Sequence, residues 1–400
     1  METPIFGFEF LNPLLEMLGI PSEAALTVAV ILSAVIIGSF VLGVTTINVW
    51  LERRVAAVFQ DRIGPNRVGP AGLLQTIADA FKLFTKENIF PEGVDKLVFA
   101  WSPLLGVMAV MGIWAVVPFA SNVYGIDLNV GVLYIVAIGG IGTLAIMMMG
   151  WSSNNKYALL GSFRTASQLI SYEVPMLLAL LIPVLLTGSM SVNDIVKAQS
   201  VWWVFAMPIP ALVLLISNIA EIGRGPFDLI EAESEIVAGF HIEYSGARFA
   251  MIFLAEFAHA FTVGALVALF YFGGWRGPGV EAYPYLGILY FLIKAFGGFF
   301  VVMWIRATLP RVRIDQMNDF NWKFLVPLSL TVLVVTILLD KALITVTPFA
   351  ANAWVRAAVH LLANLVIMIG TVQILRSVSQ RWQKQETARM QAIAARVAGD

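Results

Sequence analysis

The 400-residue chain contains no cysteine and only three histidines. Disulfides, thiolate-held zinc and an iron–sulfur cluster bound by this chain alone are therefore excluded. His241, His259 and His360 are too scattered in the sequence to suggest a metal site. Charge is scarce too: Asp, Glu, Lys and Arg make up 13% of the residues and the net charge is −1. Nothing in that balance points to a nucleic-acid partner.

Apolar residues fill the space left by these absences. The chain is 59% hydrophobic, with a mean hydropathy of +0.84, and several runs reach the ~20 residues a helix needs to cross a bilayer. These runs are apolar on every face, whereas barrel strands alternate. The predicted fold is therefore an all-α polytopic membrane protein. Nine spans are expected, over residues 24–50, 98–119, 130–150, 166–187, 201–221, 249–272, 285–305, 324–340 and 353–375. Of the 25 basic residues, 20 fall in segments 51–97, 151–165, 222–248, 306–323 and 376–400. Positive-inside bias then puts the N-terminus outside and the C-terminus inside. One transmembrane domain is expected over 1–375 and a polar cytoplasmic tail over 376–400, with loops 51–97, 222–248 and 306–323 carrying the site.

Local patterns add detail. "GLLQTIADAFKLFTKE" sets Leu73, Ile77, Phe81 and Phe84 on one helical face and Gln75, Asp79, Lys82 and Lys86 on the other, which predicts an interfacial amphipathic helix. Gly140, Gly142 and Ala145 match a dinucleotide-type spacing, but inside a span small residues read as helix packing. His259 follows Glu256 by three residues and reads as its polar partner on one helix face.

Charges at membrane depth carry more information. Glu173, Glu221, Glu256 and Lys294 fall within or at the ends of spans, and each would cost about 2.5–3.5 kcal/mol at the bilayer centre. They must be paired, hydrated or protonated, and a proton path is favoured over a structural Lys–Glu pair. "PFDLIEAESEIVAGFHIEYSG" packs Asp228, Glu231, Glu233, Glu235 and Glu243 between two apolar runs. If 227–238 is helical, Asp228, Glu231 and Glu235 share a face and repel, as a half-buried string of acids that cannot all ionise together. Basic counterparts stand in "WLERRVAAVFQDRIGPNRVGP", with Arg53, Arg54, Arg62 and Arg67 around Glu52 and Asp61, and in "WIRATLPRVRIDQ", with Arg306, Arg311, Arg313 and Asp315. The paired Gly-Pro turns of the first stretch predict a shaped loop.

From about Trp50 to Leu330 these motifs closely resemble the H-subunit (subunit 1) family of respiratory complex I, the proton-pumping NADH:quinone oxidoreductase. The resemblance is carried by "ERRVAAVFQDRIGPNRVGPAGLLQ", "ADAFKLFTKE", "PFDL" with "EAESEIVAGF", "EYSG", and "WIRATLPRVRIDQ" with "WKFLVPLSL". It implies a quinone-tunnel role for Glu52, Arg53, Arg62, Asp79 and Lys82, with lipophilic quinone reaching the tunnel between the first span, the interfacial helix and the sixth span. It implies an acidic proton-coupling funnel of Glu173, Glu221, Asp228, Glu231, Glu233, Glu235 and Glu256, and places Arg306, Arg311, Arg313 and Asp315 near a docking surface for the peripheral arm. Quinone would be a substrate, nothing would be bound covalently, and FMN and iron–sulfur clusters would sit on partner subunits. The implied partners are peripheral-arm subunits, including the one with the terminal iron–sulfur cluster, and small membrane-arm subunits, in a bacterial inner membrane. Thr76, Ile230 and "EIGRGPFD" depart from the family pattern. The alternatives are the scaffold of a related membrane-bound hydrogenase and an independent proton-coupled transporter.

Overall fold

A computed structural model describes residues 22–229, 233–346 and 352–397. Among the described residues its regular structure is helical, without strands, and eight helices are long and apolar enough to cross a membrane. The long helices are α1 (Ser22–Phe59), α3 (Lys96–Ile113), α4 (Gly131–Ser152), α5 (Lys156–Thr187), α10 (Gly246–Tyr271), α11 (Leu286–Thr308), α13 (Val326–Val346) and α14 (Ala353–Val397). Shorter elements join them: α2 (Gln75–Thr85), α6 (Val192–Ala198), α7 (Trp203–Ala206), α8 (Pro208–Ile222), α9 (Glu233–Ile236) and α12 (Ile314–Phe320).

Three expectations are revised. The first span does not stop at residue 50; α1 runs on to Phe59, so Glu52, Arg53 and Arg54 ride on a helix, and the shaped loop begins only after them. The expected span 201–221 is broken at Met207 (φ −138°, ψ 71°). A residue before proline avoids the helical region, and Pro208 at the first position of a helix starts a new one. The resulting α8 has 15 residues, about 22 Å against the ~30 Å of a hydrocarbon core. Finally, 227–238 is not one helix: Asp228 and Leu229 are non-helical and only Glu233–Ile236 forms a turn of α-helix. Glu231 lies outside the described residues.

The most buried span is α10, packed against α1, α2, α3, α8 and α11. A ring stack with the residue that follows α3 sets Phe261 parallel to Trp114 at 5.5 Å, while the indole N–H donates to Thr262 Oγ1 at 2.9 Å. Against α11 the approach is backbone-close. A Cβ on Gly298 would stand 2.8 Å from the Gly264 Cα, so small residues are required there. Capping fixes the ends: Asn155 accepts from Tyr157 N–H at 2.9 Å, and α8 closes at Gly223 in the left-handed region (φ 70°).

Candidate functional site

The site is built where α1, α2, α10 and α11 converge. A cavity of about 580 Å3 opens between α1, α2 and α10, lined by Thr45, Val49 and Arg53, by Ile77, Asp79 and Lys82, and by Phe249, Phe253 and Phe257. On α2, Gln75 and Asp79 are partly buried, while Ile77, Phe81 and Phe84 are exposed and line the same cavity together with Lys82. Across this cleft Arg53 donates to Asp79, which also accepts from Gln75 one turn earlier on α2. Burial pushes the Asp79 carboxyl up, but those hydrogen bonds and the charges of Arg53 and Lys82 outweigh it and leave it below its usual value.

A second cavity of about 620 Å3 lies beyond it, lined by Glu52, Arg53, Arg62, Gly64, Met303 and Arg306 among others. Arg53 and Phe257 belong to both walls, so the two spaces meet at these side chains. The floor of the second cavity is a loop folded back on α1, where Arg54 and Trp50 both donate to the Ala71 carbonyl, at 2.8 and 3.1 Å. Gly72 has φ 77° and would drive any Cβ into the Pro65 backbone, which is why the loop needs glycine at that turn.

Behind the second cavity stands a buried ion cluster. Glu52 accepts from both Arg224 and Arg306, and Arg224 reaches on to Glu256 (Nη2–Oε1, 3.1 Å). Arg224 is only 4% exposed, and its guanidinium lies 4.4 Å over the Phe257 ring. Its position follows from the local chain: the left-handed Gly223 ends α8, and Arg224 follows beside the negative end of the helix dipole. A third, smaller cavity of about 100 Å3 lies on the other side of Glu256, lined by Glu221, Glu256 and His259 and by Gly139, Gly142 and Thr143 of α4.

The cluster thus brings Glu52, Arg306 and Glu256 together, and the cavities gather Arg53, Arg62, Asp79, Lys82 and Glu221 around it. Glu173 on α5 is close enough to repel Glu221 electrostatically, and Asp228 acts likewise on Glu256. Arg306, grouped by resemblance with the docking residues, instead reaches from the last turn of α11 across to α1. Arg313 pairs with Asp315 at the exposed start of α12 (2.8 Å). Glu235 stands apart from the cavities: Arg164 at 2.6 Å and Arg311 at 3.4 Å flank it on a surface where it is 43% exposed. The Arg164 hydrogen bond and the two positive charges hold its carboxyl below the usual value. Glu233 opens α9. Among the described residues Lys294 pairs with no glutamate; its Nζ donates to the Gly274 and Arg276 carbonyls at 2.8 and 2.7 Å and lies over Trp202.

Sequence reasoning missed Arg224. The available signal was arithmetic: several acids at membrane depth need a buried counter-charge, and Arg224, between two glycines at a span's end, is the base nearest in the chain to Glu221 and Asp228. The pairing of His259 with Glu256 is also replaced, because its Nε2 faces Glu221 Oε1 at 4.0 Å.

The family model for NADH dehydrogenase matches residues 31–337. Proteins named as the H-subunit of NADH-quinone oxidoreductase are similar over most of their length. One from Dehalococcoides mccartyi (strain CBDB1) is 49% identical over 302 residues, covering 76% of this chain and 84% of the relative. The Brevibacillus brevis protein is 47% identical over 303 residues, 75% of this chain and 90% of its own. That of Geobacillus kaustophilus is 46% identical over 299 residues, 74% and 89%.

Proposed function

The chain belongs to the H-subunit family of NADH-quinone oxidoreductase, and from that premise we propose that its joined cavities receive the quinone and that the Glu52–Arg224–Glu256 cluster couples quinone reduction to proton movement. The observation that carries this reading is the continuity of the parts. Two cavities share Arg53 and Phe257, and one buried arginine joins the second cavity to the third.

The lining suits an amphiphilic quinone. Phe249, Phe253 and Phe257 offer aromatic surface to an isoprenoid tail in the outer cavity, and Arg53, Arg62, Arg306 and Glu52 offer charge and hydrogen bonds to the headgroup in the inner one. Electrons reach the quinone from an iron–sulfur cluster on a peripheral-arm partner, with FMN further away on other subunits. Arg311, Arg313 and Asp315 sit on the docking surface, and the complex lies in a bacterial cell membrane beside small membrane-arm subunits.

Reduction adds two electrons and takes up two protons, so negative charge arrives first where Arg306 and Arg224 can respond. As the arginines turn toward it, Glu256 loses its counter-ion. At an effective dielectric of ~20, a charge pair 4 Å apart is worth about 4 kcal/mol, enough to move a proton between carboxyl groups. Glu256 then takes its proton from the third cavity, and Glu221 and Glu173 pass the deficit inward. By the family resemblance Asp228, Glu231, Glu233 and Glu235 also belong to the coupling path, in which Glu235, held by two arginines, acts as a fixed charge.

A photoreactive quinone analogue bound to the intact membrane complex tests the placement. Label is expected in peptides from α1, α2 and α10 and is displaced by unlabelled quinone; displaceable label confined to other helices or other subunits would refute the tunnel.

A further inference from the structure

Building on the coupling role proposed above, we infer that His259 is a proton-relay and positioning residue, exchanging a proton with Glu221 through water held in the third cavity. The two side chains come from different helices, α10 and α8, and both line the same small space. Their 4.0 Å separation exceeds a direct hydrogen bond but lies within the reach of one bridging water. A cavity of about 100 Å3 has room for roughly three waters at ~30 Å3 each, and Glu221, Glu256, His259 and the Thr143 hydroxyl supply the polar partners such waters need.

The fourth wall explains the glycines of α4. A Cβ on Gly139 would stand 3.5 Å from Glu221 Oε1, while one on Gly140 would meet nothing within 4 Å and one on Gly142 only Ala109 at 3.9 Å. Tight packing therefore does not demand these glycines. Gly139 leaves space in front of the Glu221 carboxylate, and Gly142 lines the same cavity.

The charge environment assigns the imidazole its part. Glu221 feels Glu173 from α5, and Glu256 on α10 feels Arg224 and Asp228. Neither α3 nor α4 presents a titratable group to the cavity. Among the described residues lining it, His259 is the one base. In the exchange, the Glu221 carboxyl gives its O–H proton to the bridging water as that water gives one of its own to the Nε2 lone pair. A carboxylate and an imidazolium result, the water is restored, and the reverse step regenerates both neutral groups. Without the base, a proton can shift only between two carboxylates that repel when both ionise.

The test uses the intact membrane complex carrying His259→Asn, which keeps a polar amide but takes up no proton. Quinone-linked turnover is expected to fall about tenfold, with the pH–rate profile losing a titrating limb, while NADH oxidation by ferricyanide at the peripheral arm is unchanged. Wild-type turnover, or an equal loss at every pH, as a packing defect gives, would overturn the inference. If that variant does not assemble, Gly139→Ala decides: a methyl narrowing the cavity beside Glu221 should lower turnover about threefold with a shifted profile, and an unshifted profile would overturn it. Glu221→Gln and Glu256→Gln run alongside separate the two levels. If they leave turnover intact, the coupling reading itself fails; if they lower it and His259→Asn does not, only the histidine is released.

Discussion

Two ion clusters occupy opposite ends of α8, and they are wired differently. Beyond its C-terminal end, Arg224 joins Glu52 of α1, Glu256 of α10 and, through Glu52, Arg306 of α11, with a cavity on either side. Toward its start, Asp340 of α13 accepts from Arg356 Nε and Nη2 of α14 at 2.5 and 2.7 Å, and His360 Nε2 lies 3.2 Å away. The second cluster is local, closing a hairpin of consecutive helices with a bidentate fork. The first draws on segments as far apart in the chain as Glu52 and Arg306 and shares one arginine between two carboxylates. A shared counter-ion can be redistributed when a new charge arrives; a dedicated fork has little to redistribute. The comparison teaches that buried charge beside a cavity does not by itself mark function in this bundle, since Arg356 and His360 also line a cavity of about 150 Å3; what sets the first cluster apart is one counter-ion shared between carboxylates of distant segments.

The largest effect is expected where the shared ion is removed. Arg224→Met leaves Glu256 without its cation and severs the second cavity from the third. Quinone-linked turnover should fall by about a hundredfold, or ~3 kcal/mol, with ferricyanide reduction at the peripheral arm retained. If turnover survives above half of wild type, the two clusters are of one kind and the contrast is broken. Asp340→Asn is the matched change at the other end. It should cost about 3 kcal/mol of stability by leaving Arg356 half-buried and unpaired, lowering the thermal midpoint of the solubilised complex without altering quinone-linked kcat. A kinetic loss with an unchanged midpoint would reverse the assignment.

How much of this contrast could be read in the sequence differs between its halves. The all-helical membrane fold follows from runs that are apolar on every face, whereas Glu52 and Arg53, just past the first span, and Asp79 and Lys82, on the polar face of the interfacial helix, received a tunnel role only through the family resemblance. The break at Met207 was also written in the chain, in Pro208 and Pro210, but apolar composition on both sides concealed it. The partners of charges were not legible. Helical spacing tied His259 to Glu256, whereas its neighbour across the cavity comes from α8, and Lys294 looked like a midplane charge until loop carbonyls and Trp202 proved to hold it. Periodicity reports which face a residue is on; it carries no information about which helix stands opposite.

A pH experiment extends the comparison outside the membrane. His241 is packed between Phe240 and Phe249, with ring centroids at 5.2 and 5.7 Å, and burial pulls its imidazole down to about 4 from 6.5. The folded loop therefore binds fewer protons than the unfolded one between those values. Its contribution is full above about pH 6.5 and is lost as pH falls toward 4. Proteolysis of the segment around 237–245 should accelerate over that window, and His241→Phe should abolish the acceleration. Persistence of the acid effect in the variant would place its origin in another group.

The smallest effect is expected at Asp79, and its value lies in being flat. The Arg53 pair at the lateral opening is half-exposed, so its worth is at most about 1 kcal/mol. Asp79→Asn should therefore raise the KM for quinone by no more than about fivefold. Because the carboxyl titrates below its ordinary 3.8, the pair is complete above that pH and weakens only as pH falls through the lowered value. The ratio of variant to wild-type KM should then be constant from about pH 5 to 9. A ratio that changed across that range would mean Asp79 exchanges protons during turnover. The lateral cleft would then belong with Arg224 and the third cavity, and the line between a cavity that admits substrate and one that moves protons would have to be redrawn through Arg53.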